Sequence, residues 1–168
     1  MKHRADASSS PMANAHMGKS HYKHLGMMTA FSFIAMYILM YAMVNEFSNA
    51  YMNFNQVYMA ALMAAPMVLI ELGVMRSMYD DKRLNALIAG VAVVAAVLFF
   101  VFIRQQTAIG DRQFLRSMIP HHAAAILMCQ QVSIRDAEIR ALCGNIVSSQ
   151  QAEIDQMKNM LRTTGERR

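Results

Sequence analysis

The chain has 168 residues, of which 55% are hydrophobic and 16% charged, with a formal net charge of +5. Soluble domains carry about 25% charged residues, and here the deficit leaves long uncharged runs, which excludes an ordinary water-soluble globule. Much of the positive charge lies in the N-terminal tail (Lys2, Arg4, Lys19, Lys23) and in the C-terminal Arg162, Arg167 and Arg168, and basic residues beside membrane spans reflect topology rather than nucleic-acid binding.

Residues 1–24 are polar and low in complexity, and read as a flexible cytoplasmic tail whose basic residues can touch anionic lipid. His16, His21 and His24 with Met12 and Met17 form a loose cluster there, for which a solvated tail is the simpler reading. The apolar run that follows is too long for a signal-peptide core, so no cleavage is expected.

Three membrane helices are expected, at residues 25–44, 54–75 and 84–103. A span needs about 20 apolar residues to cross about 30 Å of hydrocarbon. The loop after the first span holds Glu46 and no Lys or Arg, whereas the loop after the second holds Arg76, Lys82 and Arg83. The excess of basic residues on the cytoplasmic side then puts the N-terminus inside and residues 104–168 outside. In a double-membrane bacterium this is an inner-membrane protein with a periplasmic C-terminal domain.

The chain contains 18 methionines. Methionine is a flexible apolar filler and also a soft thioether ligand. Met59, Met63, Met67, Glu71 and Met75 recur every four residues on the second span, and Met36, Met40 and Met43 share a face of the first. Helix packing accounts for both faces. The sharper alternative is a membrane relay for a soft ion through Met59, Met63, Met67 and Glu71. A carboxylate inside a span is costly and usually functional, although Glu71 lies near enough to the end to reach the interface or Arg76.

Gly110 and Asp111 read as a stop-and-cap pair opening a helix over 112–132. Ser133 begins Ser-Ile-Arg-Asp, a capping-box-like start for a second helix over 134–161. Both helices carry a 4-3 spacing. Asp111, Leu115, Met118, His122, Ala125, Cys129 and Val132 share one face, and Ile139, Cys143, Ile146, Gln150, Glu153, Met157 and Met160 share the other. Folded as an antiparallel hairpin, Cys129 meets Cys143, His122 meets Gln150, and Met118 meets Glu153. The half near the turn is then apolar, and the far half buries His122, Gln150 and Glu153. Such burial costs several kcal/mol unless a hydrogen-bond network or a metal offsets it. The first helix presents Met118, His121, His122, Met128 and Cys129 within an arc of about 120°. Pro120 either kinks this helix or opens a fresh turn. Cys129 and Cys143 are open to a disulfide, to two buried thiols or to a shared soft-metal site.

These residues resemble a known family. Met118-Ile-Pro-His-His, then Ala125-Ile-Leu-Met, then Gln150 with Glu153-Ile154 and Met157, are similar to the bacterial domain-of-unknown-function family three hundred and five, in its membrane-anchored form. The match covers residues 111–161. The resemblance implies a ferritin-like helical bundle, of which this hairpin supplies half, and some periplasmic members are linked to copper. It implies metal ligands Met118, His121, His122 and Met128, with Glu153 and Met157 across the seam. Fuller domains of the family have two helical pairs, so a complete site here needs a second chain or a contribution from the membrane helices.

The expectation is thus an all-α protein: three transmembrane helices, then an extramembrane antiparallel hairpin over 111–168. Imidazole with thioether favours copper, especially Cu(I), or Ag(I) by mimicry. The expected role is non-catalytic metal sequestration, delivery or tolerance. The other reading is a membrane assembly or partner-docking protein. A di-iron enzyme needs several Glu residues and Glu-x-x-His pairs, which residues 111–168 lack. A hairpin this short buries little surface alone, so a homodimer or higher oligomer is expected.

Overall fold

The computed structural model describes residues 11–166, with side chains placed for residues 20–164. Every regular element in it is helical: α1 (Pro11–Leu39), α2 (Phe54–Val74), α3 (Lys82–Gln105), α4 (Asp111–Gln131) and α5 (Ala137–Glu166), with two 3-10 turns (Met40–Met43 and Phe47–Asn49) between α1 and α2. The helix α1 begins at Pro11, so residues 11–24 do not form the expected flexible tail; residues 1–10 lie outside the described ones. His21 is tied down, its Nδ1–H donating to the Met78 carbonyl at 3.0 Å, and the side chains of Met12, His16 and Met17 lie outside the described residues.

Three helices are long and apolar enough to cross a membrane: Ser20–Met43 within α1 and its 3-10 extension, Phe54–Val74 and Lys82–Gln105. The middle one, α2, packs against both others. It can do so because its inward face is small: Ala60, Ala64 and Ala65 are buried with Val68 and Leu72. Without a hydrophobic force between helices in lipid, small residues that let backbones approach are what favour packing. Caps define the starts. Asn53 Oδ1 accepts from the Gln56 amide at 3.0 Å, and Asp81 Oδ1 accepts from the amides of Arg83 and Leu84 at 2.9 and 3.0 Å. Aromatic residues gather at both ends, Tyr22 with Tyr79 at one and Tyr58 with Phe99 and Phe102 at the other, as amphipathic rings do at membrane interfaces.

The joint between α3 and α4 differs from the expected one. Gln106, not Gly110, ends α3 in the left-handed conformation, and Ala108 is left-handed too. Gly110 occupies the N-cap position of α4 in extended backbone, and Asp111 is the first helical residue, where its charge suits the helix N-terminus. The joint is held to the membrane helices by side-chain hydrogen bonds. Gln106 and Asn55 exchange both amide bonds, at 3.0 and 3.2 Å, Tyr58 donates to the Thr107 carbonyl at 3.0 Å, and Gln113 accepts from the Phe54 amide at 3.2 Å.

Helices α4 and α5 form the antiparallel hairpin, but with a different seam. Its buried core is Leu115, Ile119, Ala123, Ile126, Ile154, Met157 and Leu161, with Val44, Tyr51, Met118 and Val147 packed against it. The observed stripe Leu115, Ile119, His122, Ile126, Cys129 is also a 4-3 series. It shares Leu115, His122 and Cys129 with the expected one and replaces Met118 and Ala125 by their neighbours Ile119 and Ile126. On α5, Ile154 and Leu161 likewise replace Glu153 and Met160. The choice follows apolar burial: at about 25 cal/mol per Å², turning two isoleucines inward gains more than turning a carboxylate inward. The expected polarity of the seam is therefore reversed. The core lies at the membrane end, over Val44 and Tyr51, while Val132 and Ile139 near the turn are exposed. That turn also runs longer than expected. Asp136, not Ser133, caps α5, accepting from the amides of Glu138 and Ile139 at 2.9 and 3.0 Å.

Candidate functional site

The helix α4 has two working faces. Pro120 lies inside it and is buried, so it belongs to the helix interior rather than to a fresh first turn. Having no N–H, it leaves the Arg116 carbonyl without its usual intrahelical partner. On either side of this point the adjacent histidines diverge by about 100°. His122 turns to α5, and His121 turns to the membrane helices.

On the α5 side, His122 Nδ1 lies 2.9 Å from the Met118 carbonyl and Nε2 lies 2.6 Å from Glu153 Oε2. A carbonyl can only accept, so Nδ1 carries a hydrogen. The His122 side chain is 12% exposed and that of Glu153 50%, so the pair lies on the rim of the seam with one partner in solvent. A backbone carbonyl on one ring nitrogen is the arrangement that orients metal-binding histidines. An ion taken at Nε2 would displace Glu153 from it. Glu153 was expected opposite Met118 and His122 opposite Gln150; the shifted seam pairs His122 with Glu153 instead.

On the other side, α4 forms one wall of a cleft of about 600 Å³ against the ends of α1, α2 and α3. Met118, His121 and Met128 line it from α4, and Met40, Met43 and Met59 line it from the membrane helices. Asn55 and Gln106 also line it, but their amides are already paired with one another. His121 is exposed and makes no hydrogen bond among the described residues. The lone pairs left free in the cleft thus include an imidazole nitrogen and thioether sulfurs.

The six expected ligands are therefore split. Met118, His121 and Met128 face the cleft, His122 and Glu153 form the rim pair, and Met157 is buried in the apolar core. Met157 has no open route to an ion there. Among the described residues no three His, Cys, Asp or Glu side chains converge as a metal-binding group. A zinc-like shell of imidazole, thiolate and carboxylate does not fit this donor set. The donors that line the cleft are thioethers and one imidazole, a type that soft monovalent ions prefer.

Cys129 and Cys143 are joined in a disulfide, with their Cα atoms 5.2 Å apart, which removes them from the soft-ligand set. Of the methionines expected to form a membrane relay, Met59 reaches the cleft, whereas Met63 is exposed on the outside of the helices and Met67 does not line that cleft. Glu71 has an ordinary partner, since Tyr79 donates its hydroxyl to Oε1 at 3.3 Å. Burial, with the Glu71 charge adding to it, raises the Tyr79 pKa and keeps the phenol a neutral donor.

Met40 and Met43 escaped the sequence reading as site residues. Their signal was present: the end of the first span, the start of the second and the start of α4 all fall on the same side of the membrane under any three-span topology.

Residues 70–161 match the family profile described as Domain of unknown function (DUF305), which reaches back from the hairpin through α3 to the end of α2. A relative, "Uncharacterized protein L153" of Acanthamoeba polyphaga mimivirus, is 31% identical over 138 residues, covering 80% of this chain and 89% of its own length. No solved structure matches the chain. The profile spans more than half of the chain and the relative most of it, and the protein belongs to the DUF305 family.

Proposed function

We propose that this is a membrane-anchored, non-catalytic metal-binding protein that holds copper as Cu(I), or Ag(I) in its place, for sequestration, delivery or tolerance. The observation that carries the reading is that Met118, His121 and Met128 line one cleft, with the His121 imidazole exposed and without a hydrogen bond among the described residues. His122 lies on the other face of α4, paired with Glu153, and offers a second nitrogen only by leaving that pair. A soft cation prefers this set over water, and divalent hard ions do not. In the proposed topology the N-terminus is cytoplasmic and the hairpin periplasmic, as the loop charges favour. The Cys129–Cys143 bridge supports that side, since disulfides persist in oxidising compartments.

The test is a Cu(I) titration of the full chain in detergent against a competing chelator, beside the His121→Ala/His122→Ala variant. Tight binding weakened at least about tenfold in the variant is expected. Equal, weak binding by both would overturn the reading.

One observation favours a second reading, a partner-docking hairpin. Phe114, Val132, Ile139, Leu142 and Met160 leave apolar surface exposed on the hairpin. A second copy completing a ferritin-like four-helix bundle would cover it, and binding that sharpens with protein concentration would mark that assembly.

A further inference from the structure

We infer that the soft-metal site is composite, with Met40, Met43 and Met59 of the membrane helices supplying thioether ligands to the same ion that His121 and Met118 hold from the hairpin; Met128, about 15 Å along α4 from Met118, lines the cleft beyond the reach of that ion. The inference rests on the metal-binding reading above and adds where the ion sits and what closes its shell.

The hairpin alone offers too few donors. Its cleft face carries two thioethers and one imidazole on a single helix, and no other His, Cys, Asp or Glu joins them into a metal-binding group among the described residues. The opposite wall supplies the same chemistry. Met40 and Met43 lie on the 3-10 turn that ends the first span, and Met59 lies in the second turn of α2. The helical core does not account for all of these side chains: Met43 is 49% exposed, Met59 40% and Met128 54%, whereas Met118 also packs against the hairpin core. They gather where polar residues meet at the water-facing end of the spans, beside Asn53, Asn55 and Gln56. A cleft at that rim is open to ions, and the paired amides leave the sulfurs and His121 to receive them. The joint fixes both walls, because the Asn55–Gln106 and Tyr58–Thr107 bonds tie the start of α2 to the linker that leads into α4.

The experiment uses the full chain in detergent. Cu(I) affinity is measured by chelator competition for the wild type, for Met40→Leu/Met43→Leu/Met59→Leu and for Met118→Leu/His121→Ala. A composite site loses at least about tenfold in affinity with either variant. Loss with the hairpin variant but none with the membrane variant overturns the inference and leaves the metal-binding reading standing. No loss with either overturns both. A second measurement needs no variant. Peroxide converts free thioethers to sulfoxides, and Ag(I) bound to sulfur blocks the lone pair. Mass spectrometry should show Met40, Met43 and Met59 protected by Ag(I) together with Met118, while exposed Met27 and Met52 are not. Protection of Met118 without Met40, Met43 and Met59 would overturn the composite site.

Discussion

Ala108 stands at φ 59° in the linker between α3 and α4, and Gln106 at φ 50°. A left-handed backbone costs a residue with a Cβ about 1–2 kcal/mol. Gln106 recovers part of that through its amide exchange with Asn55, whereas Ala108 has no side chain with which to do so. Ala108→Gly should therefore stabilise the joint by about 1 kcal/mol, less the entropy that glycine adds to the unfolded chain. Thermal unfolding in detergent should show a higher midpoint; a lower one would mean that the methyl group packs usefully. His121 and His122 carry the other residue-scale lesson. The sequence placed both on the site side of α4, because an arc of about 120° holds them together with the methionines. What decides between them is which face the core claims. Ile119 and Ile126 pull the seam toward His122, and His121 is left to the cleft. That choice depends on apolar burial summed over both helices, which no single motif displays.

The hairpin as an element is held differently at its two ends. At the membrane end Ile119 and Ile154 are fully buried, and truncating either to Ala should cost about 2–5 kcal/mol. Val132→Ala and Ile139→Ala, near the turn, should stay within about 0.5 kcal/mol. Hydrogen exchange of α4 and α5 would read the contrast, and equal costs at both ends would restore the seam first expected from the 4-3 spacing. Near the turn the covalent bridge does what packing does elsewhere. Cys129 and Cys143 are 14 residues apart, and closing a loop of that size stabilises by about 3 kcal/mol. Reductant, or Cys129→Ala/Cys143→Ala, should open the turn end to exchange while the Ile119–Ile154 end stays protected. The existence and order of the helices were legible in the sequence, since long uncharged runs and 4-3 spacing are properties of one strand of text. The rotation of α4 was not, because two 4-3 series share Leu115, His122 and Cys129 and differ only in which neighbours they bury. The caps were misplaced for a similar reason. Ser133 and Asp136 both suit an N-cap, and the chain stays non-helical through residues 133–136, so the second is used.

For the whole molecule, the loop charges and the hairpin disulfide support one orientation. A reporter enzyme active only outside the cytoplasm, fused after Arg168, should be active, and one fused within the loop carrying Arg76 and Arg83 should be silent. The reverse pattern would put the cleft in the cytoplasm and the disulfide in a reducing compartment. The site was half legible at this scale. The methionines of the spans and the histidines of α4 were each visible, but their meeting is a fact about the joint. Asn55 and Tyr58 hold that joint, so the hairpin travels wherever the spans travel. A partner in the same bilayer meets it by lateral diffusion in a sheet, always at one height and with one side facing up. Orientation is what slows freely tumbling proteins to about 10⁵–10⁷ M⁻¹s⁻¹. A shared plane narrows that search, so under the proposed function a stiff joint at Gln106 would favour exchange with proteins of the membrane over those dissolved in the space beyond it.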